Sequence, residues 1–268
     1  MLFIDPVPKD RLSEIYPANY YSFAPHRRSL IFSIKEKLDA RVYRRALRQI
    51  PGERLHVLDV GGGAGWELNT VRASDPRVHH TQIVDLDAGA AASAAANGHL
   101  YHQGRVEDFE TDVRFDLALL LNLIEHVEDP GKVLAKVRRM LAPGGLVLIK
   151  TPNYDAADAR IFRHANWAGY HCPRHWVLFD KESFEGLAVR SGLRVKDFAY
   201  TQGAVFWAGS VLFRLASAGV VRITRERPGP YHPLYAPLSA GFAALDFLRG
   251  PFARTSQMFF TLSRDDAD

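Results

Sequence analysis

The run VLDVGGGAGWE, Val57 to Glu67, constrains this chain more than any other. An apolar strand-like segment, Leu55 to Val60, leads directly into glycines at 61, 62, 63 and 65, and a helix-forming stretch from Trp66 to Ser74 follows. Glycines between a strand and a helix allow a tight turn and a close approach of backbone to ligand. A second strand, HTQIV to Val84, then runs into Asp85 and Asp87, 26 and 28 residues after Asp59. An acidic residue at about that distance commonly holds a ribose. The glycine pattern alone also occurs as turn geometry without a ligand, and periodicity does not distinguish a nicotinamide dinucleotide from another adenosine cofactor.

The same alternation continues along the chain. A helix is expected over Ala88 to Gly98, a strand centred on Tyr101 and His102, and a strand over FDLALLL, Phe115 to Leu121. This last run is apolar throughout, as a parallel strand covered on both faces should be. A helix from Pro130 to Leu141, a Pro143-Gly144-Gly145 turn and a strand from Leu146 to Pro152 come next. Residues 153–178 read as a loop, Asp180 as the N-cap of a helix over Lys181 to Gly192, and Leu193 to Tyr200 and Ser256 to Ser263 as strands. Alternating strands and helices predict an α/β fold with its ligand cleft beyond the carboxyl ends of the strands.

With these 268 residues, 47% of them hydrophobic and 24% charged, the chain can bury a core without staples, and global disorder is excluded. Cys172 is the single cysteine, so no intrachain disulfide forms. The polar, proline-broken opening MLFIDPVPKDR does not read as a secretory signal, and both features agree with a reducing cytoplasm.

The ordered series VLDVGGGAG, IVDLD, FDLALLLNLIEHVEDP and LAPGGLVLIKTPN resembles class I S-adenosylmethionine-dependent methyltransferases, and in particular the ubiquinone-biosynthesis O-methyltransferase group. The resemblance covers Leu55 to Tyr200 and the last strand. It implies a Rossmann-like seven-stranded mixed sheet with helices on both faces and the last strand antiparallel. It also implies the parts: residues 1–54 as an N-terminal arm and helices forming a lid, 55–200 as the cofactor-binding core, 201–255 as an apolar helical insertion, and 256–268 as the last strand and tail.

Carried over by position, the resemblance puts Asp59 and Gly61 at the methionine end of S-adenosylmethionine, with Gly63 and Gly65 completing the loop. Asp85 takes the ribose hydroxyls, Leu86 flanks adenine, and Glu107 or Asp108 lies near the adenine amino group. Asn122 stands beside the cofactor's amino acid or the acceptor. On a helix opening at Asn122, Asn122, Glu125 and His126 share one face. Where related enzymes have a further glutamate this chain has Asn122, and no metal is assigned. Glu125 and His126 then serve as loop-holding hydrogen-bond partners, in base catalysis, or as the two remaining protein ligands of a divalent metal.

The segment from Tyr170 to Trp176 contains Tyr170, His171, Arg174 and His175, and a histidine near neutrality is suited to taking a proton from a hydroxyl. His126 and His175 are therefore the candidate bases, and Tyr170, His171 and Arg174 the candidate substrate contacts. Tyr20 and Tyr21 of the proline-rich arm, which with His26 resemble lid residues, are candidate substrate contacts as well. Trp176 and Phe179 read as core anchors.

The expected activity is O-methylation of a small, hydrophobic or aromatic metabolite, leaving S-adenosylhomocysteine. The alternatives are N- or C-methylation of a natural product or sugar, a nicotinamide-dependent oxidoreductase, and a non-catalytic scaffold. No arginine-rich arm or aromatic-basic module points to nucleic acid. The apolar run Gly203 to Val221 carries Arg214 near its centre, which argues against a membrane span. Three roles stay open for it: a cleft cover or local core, contact with a membrane surface, and a homodimer contact.

Overall fold

The computed structural model describes residues 1–15, 30–164, 166–224, 228–250 and 252–265. The chain runs β1 (Leu2–Phe3), α1 (Leu12–Ile15), α2 (Leu30–Leu47), β2 (Leu55–Val60), α3 (Trp66–Ser74), β3 (Val78–Asp85), α4 (Ala91–Ala96), β4 (Leu100–Gln103) and β5 (Phe115–Leu121). It continues through α5 (Pro130–Met140), β6 (Leu141–Pro152), α6 (Ala157–Phe162), β7 (Val177–Leu178), α7 (Lys181–Arg190), β8 (Leu193–Thr201), α8 (Ala204–Ser217), α9 (Tyr235–Arg249) and β9 (Gln257–Arg264). Seven strands form one sheet in the order β4-β3-β2-β5-β6-β9-β8, with β9 antiparallel to both its neighbours and the other pairings parallel. The expected Rossmann-like mixed sheet is the observed one.

Alternating side chains of the central strands feed two cores, because successive residues of a strand point to opposite faces. Ala118 and Leu120 of β5 join Val147, Ile149 and Phe260 beneath α5 and α7. Leu117 and Leu119 join Leu146 and Leu148 beneath α2 and α3, where Tyr43, Leu47, Leu68 and Val71 close the layer. That double burial is why β5 is apolar at every position but Asp116. The carboxylate of Asp116 accepts from the His56 amide at 2.8 Å, at the strand's opening end. Asp129 caps α5 by accepting from the Lys132 amide, and Asp180 caps α7 through a reciprocal pair with Ser183.

Three expectations change. Residues 153–178 contain α6 and β7 as well as loop, and β7 pairs antiparallel with β1 at Leu2 to Leu178. No helix opens at Asn122; only Ile124 to His126 form a single 3-10 turn. Asn122 itself is left-handed, with φ of 54°, because its amide turns back to donate to the Lys150 carbonyl. It therefore does not share a helix face with Glu125 and His126, and its side-chain oxygen accepts from Gln257 at 2.9 Å.

The stretch between β8 and β9 is a helical hairpin. The Gly203 amide donates to the buried Asp246 carboxylate at 2.9 Å, Trp207 stacks on Phe242 with 5.0 Å between centroids, and Arg249 lies over the Trp207 ring. The Ser210 hydroxyl, accepting from the Ala168 amide, ties the hairpin to the 153–178 segment. Trp207, Ala208 and Leu212 are buried, so the inner side of α8 is local core. Among the described residues no helix is long and apolar enough to cross a membrane.

Candidate active site

The strand order reverses between β2 and β5, and such a switch point opens a crevice at the carboxyl ends of the strands. The glycine loop leaves β2 here. Gly61, Gly63 and Gly65 all have positive φ, and a Cβ on Gly65 would lie 2.3 Å from the His99 ring, so the loop needs glycine for both conformation and space. The Gly63 amide donates to one Asp85 carboxylate oxygen at 2.8 Å, and the Asp87 amide donates to the other at 2.9 Å. These two bonds aim the carboxylate while leaving each oxygen a further lone pair, which is what two adjacent ribose hydroxyls require.

Asp59, at the end of β2, is buried, and its Oδ2 has no hydrogen-bond partner among the described residues. Burial raises its pKa, and the negative charges of Glu67 and Asp85 push it further the same way. A buried acceptor in this state calls for a cationic or N–H donor, and the ammonium group of a bound amino acid supplies one. Gly62 packs over it: a Cβ there would fall 2.4 Å from the same oxygen. Leu86 is 54% exposed, and after β4 Glu107 is half-buried and Asp108 exposed, both in the turn over residues 106–108. These residues fit an adenosine cofactor with an amino-acid end.

Several groups escaped the sequence reading. Glu67, in the first turn of α3, accepts from the Tyr43 hydroxyl at 2.5 Å and from the Lys35 ammonium at 3.2 Å, and that ammonium sits 4.5 Å from the centre of the Trp66 ring. Its position directly after the glycines was the available signal; nothing in the sequence pairs it with α2. The Lys150 pKa is lowered by burial and by the Lys35 charge, with Asp39, Glu67 and Glu125 acting the other way.

The second half of the site converges from two segments 48 residues apart. Leu123 touches the glycine loop, since a Cβ on Gly61 would lie 2.9 Å from its Cδ1. Next to it, Glu125 is fully buried, accepts from the Thr151 hydroxyl at 3.0 Å, and has its pKa raised by burial to about 8. Its carbonyl accepts from the Trp176 amide at 2.7 Å, which brings the Tyr170 to Trp176 segment alongside. The His126 and His175 rings lie edge to face at 4.7 Å, and His171 lies 5.0 Å from His175.

His126 Nδ1 faces the Arg174 carbonyl at 3.0 Å, and His175 Nδ1 faces the Gly169 carbonyl at 2.7 Å. A carbonyl only accepts, so both neutral rings carry their proton on Nδ1 and keep the Nε2 lone pair. Burial lowers the pKa of His126 and of His171 to about 4, and that of His175 well below the usual histidine value, with the neighbouring rings and Arg174 adding to the effect. All three are neutral at pH 7, but burial makes them weaker bases than the near-neutral histidine expected from the sequence, because it disfavours the imidazolium. Glu125, His126 and His175 each bring one potential ligand atom to within 4.8 Å of the others.

His171, Arg174 and His175 line a cavity of about 910 Å³, whose remaining wall is largely apolar: Leu2 and Phe3 of β1, Trp167, and Phe206 and Phe213 of α8. Tyr170 also lines it, but its hydroxyl donates to the Arg163 carbonyl and its ring packs on Trp167, so it acts first as a brace. Trp176 and Phe179 are core residues, as expected. Tyr20, Tyr21 and His26 lie outside the described residues.

Comparison with known proteins agrees with this geometry. A methyltransferase-domain family model matches residues 31–197. The ubiquinone biosynthesis O-methyltransferase of Caulobacter sp. (strain K31) is 32% identical over 141 residues, 51% of this chain and 55% of that protein. The protein of the same description from Cereibacter sphaeroides is 28% identical over 213 residues, 72% of this chain and 83% of that one. Other relatives of that description, from Bradyrhizobium, Nitrobacter and Rhodopseudomonas, are spanned by this chain over only 40–42% of their length. Among solved structures, a Burkholderia thailandensis 1,6-didemethyltoxoflavin-N1-methyltransferase with bound S-adenosylhomocysteine superposes with a TM-score of 0.51 at 16% identity, covering 86% of this chain and 78% of that one. With its switch-point glycine loop, its aimed Asp85 carboxylate and its Asp59 awaiting a donor, this chain belongs to the methyltransferase-domain family and uses S-adenosylmethionine.

Proposed function

We propose that the chain methylates a hydroxyl oxygen of a small hydrophobic or aromatic metabolite. The observation that carries this reading is the neutral His175 in the wall of an apolar cavity, with the His126 ring packed against it. The cofactor supplies a methyl group on a sulfonium leaving group, so covalent catalysis by the protein is unnecessary. The protein's task is alignment and proton removal. Asp85 and the glycine loop hold the adenosine end, and Asp59 holds the amino-acid end. The cavity wall holds an apolar acceptor with its hydroxyl toward His175 or His126. His175 or His126 would take the hydroxyl proton at Nε2, and the bound cofactor would supply the methyl group, its sulfonium being the leaving group. The relatives named for ubiquinone biosynthesis, which act on oxygen, support oxygen over nitrogen or carbon.

The test is turnover of the purified chain with S-adenosylmethionine and a panel of apolar catechols and hydroquinones, with the methyl ether identified by mass spectrometry. His126→Ala and His175→Ala are measured beside it. Loss of the base should lower kcat by roughly 10²-fold or more in at least one variant, with S-adenosylhomocysteine affinity unchanged. Wild-type turnover in both variants, or methylation only at nitrogen or carbon, contradicts the reading.

A further inference from the structure

The outer face of α9 breaks the rule that a surface helix turns charge toward water. From Tyr235 to Leu248 the one charged residue is Asp246, and it points inward to the Gly203 amide and Arg249. The outward positions are apolar: Leu245 is exposed, Phe247 and Leu248 are 74% and 72% exposed, and Phe252, just past the helix, is 91% exposed. This is a far more exposed surface than the Gly203 to Val221 run, whose inner side is buried against the segment beneath it.

Charge indicates what covers this face. Residues 201–255 hold six arginines and only two acids, Glu226 and Asp246, so the entire formal net charge of +4 falls in this stretch and the rest of the chain is neutral. Arg249 pairs with the buried Asp246 and the exposed Arg254 with Asp155, which leaves Arg214 and Arg222 as the other exposed arginines of the described part of this stretch. A second copy of the chain would bring the same positive charge to the contact, and an anionic bilayer brings the opposite one. Apolar side chains that enter the headgroup boundary, next to arginines that meet anionic lipid, are the signature of an interfacial helix. Val205, Phe206 and Phe213 of α8, with Tyr235 at the start of α9, wall the apolar cavity. We infer that the α8–α9 hairpin seats the protein on the surface of an anionic lipid bilayer, with α9 and Phe252 facing the lipid. This inference is independent of which atom is methylated.

The experiment is flotation of the full chain with vesicles of pure phosphatidylcholine and with vesicles in which about one quarter of the lipid is phosphatidylglycerol. The wild type should bind the anionic vesicles at least about tenfold better than the neutral ones, and added salt should weaken that binding. Phe247→Asp with Leu248→Asp should reduce binding at least about tenfold, with the S-adenosylhomocysteine affinity retained as proof of fold. Phe252→Asp, outside the helix, gives the same reading should the double variant misfold. The inference is overturned if the wild type ignores anionic vesicles, or if folded variants float like the wild type. It is also overturned if the wild type is a dimer that the variants turn into a monomer, because a second copy then covers the face.

Discussion

Replacing Glu125 by glutamine tests whether a protonated carboxyl is built into the site. The side chain is fully buried beside Thr151, and burial raises its pKa from the ordinary 4.5 to about 8. The folded state therefore holds the proton more tightly than the unfolded chain does. This contribution to stability is complete below pH 4.5, declines as the pH rises, and is gone above about 8. A tenfold change in proton affinity is worth about 1.4 kcal/mol, so ionisation of Glu125 should remove roughly 3–4 kcal/mol of stability between about pH 5 and pH 8. Glutamine keeps the shape and carries no proton to lose. Below pH 6.5 the depressed histidines also destabilise the fold as they acquire charge, but both proteins share that effect. Urea unfolding across this range should show Glu125→Gln gaining on the wild type by about 3–4 kcal/mol as the pH rises. Parallel curves for the two proteins would refute the assignment of a neutral Glu125.

Two further substitutions probe the scaffold. Gly65→Ala forces a Cβ to within 2.3 Å of the His99 ring at a φ of 82°, and should cost about 1–3 kcal/mol by thermal or urea unfolding together with a loss of cofactor affinity. Asp246→Ala strands the Gly203 amide and the buried side of Arg249 and should cost roughly 3 kcal/mol, read as proteolytic cleavage within residues 201–255 before the sheet unfolds.

Much of the fold was legible because its signals are local. Glycines 61, 63 and 65 lie between a strand and a helix, FDLALLL is apolar because both its faces are covered, and Asp129 and Asp180 cap helices within three residues of themselves. Asp85 was legible for the same reason, as the acidic end of a strand. The parts that were missed depend on distant partners. Asn122 leaves helical geometry because its amide bonds to Lys150 on the next strand, which helical spacing does not encode. β7 exists only because β1 pairs with it. Glu67 becomes part of a charged cluster only when α2 brings Tyr43 and Lys35 over it. His126 and His175 were each singled out, but their approach to 4.7 Å follows from the bond between Glu125 and Trp176. The apolar outer face of α9 was the least visible feature, since an apolar helix in sequence reads equally as core.

The central claim is that Asp85, oriented by the Gly63 and Asp87 amides, holds the ribose of S-adenosylmethionine. Calorimetric titration of the purified chain with S-adenosylhomocysteine, and of Asp85→Ala beside it, tests this claim most directly. Saturable one-to-one binding that weakens by roughly 1–3 kcal/mol in the variant, with folding unchanged, is the predicted result. No binding by the wild type, or equal affinity in both proteins, would contradict the claim.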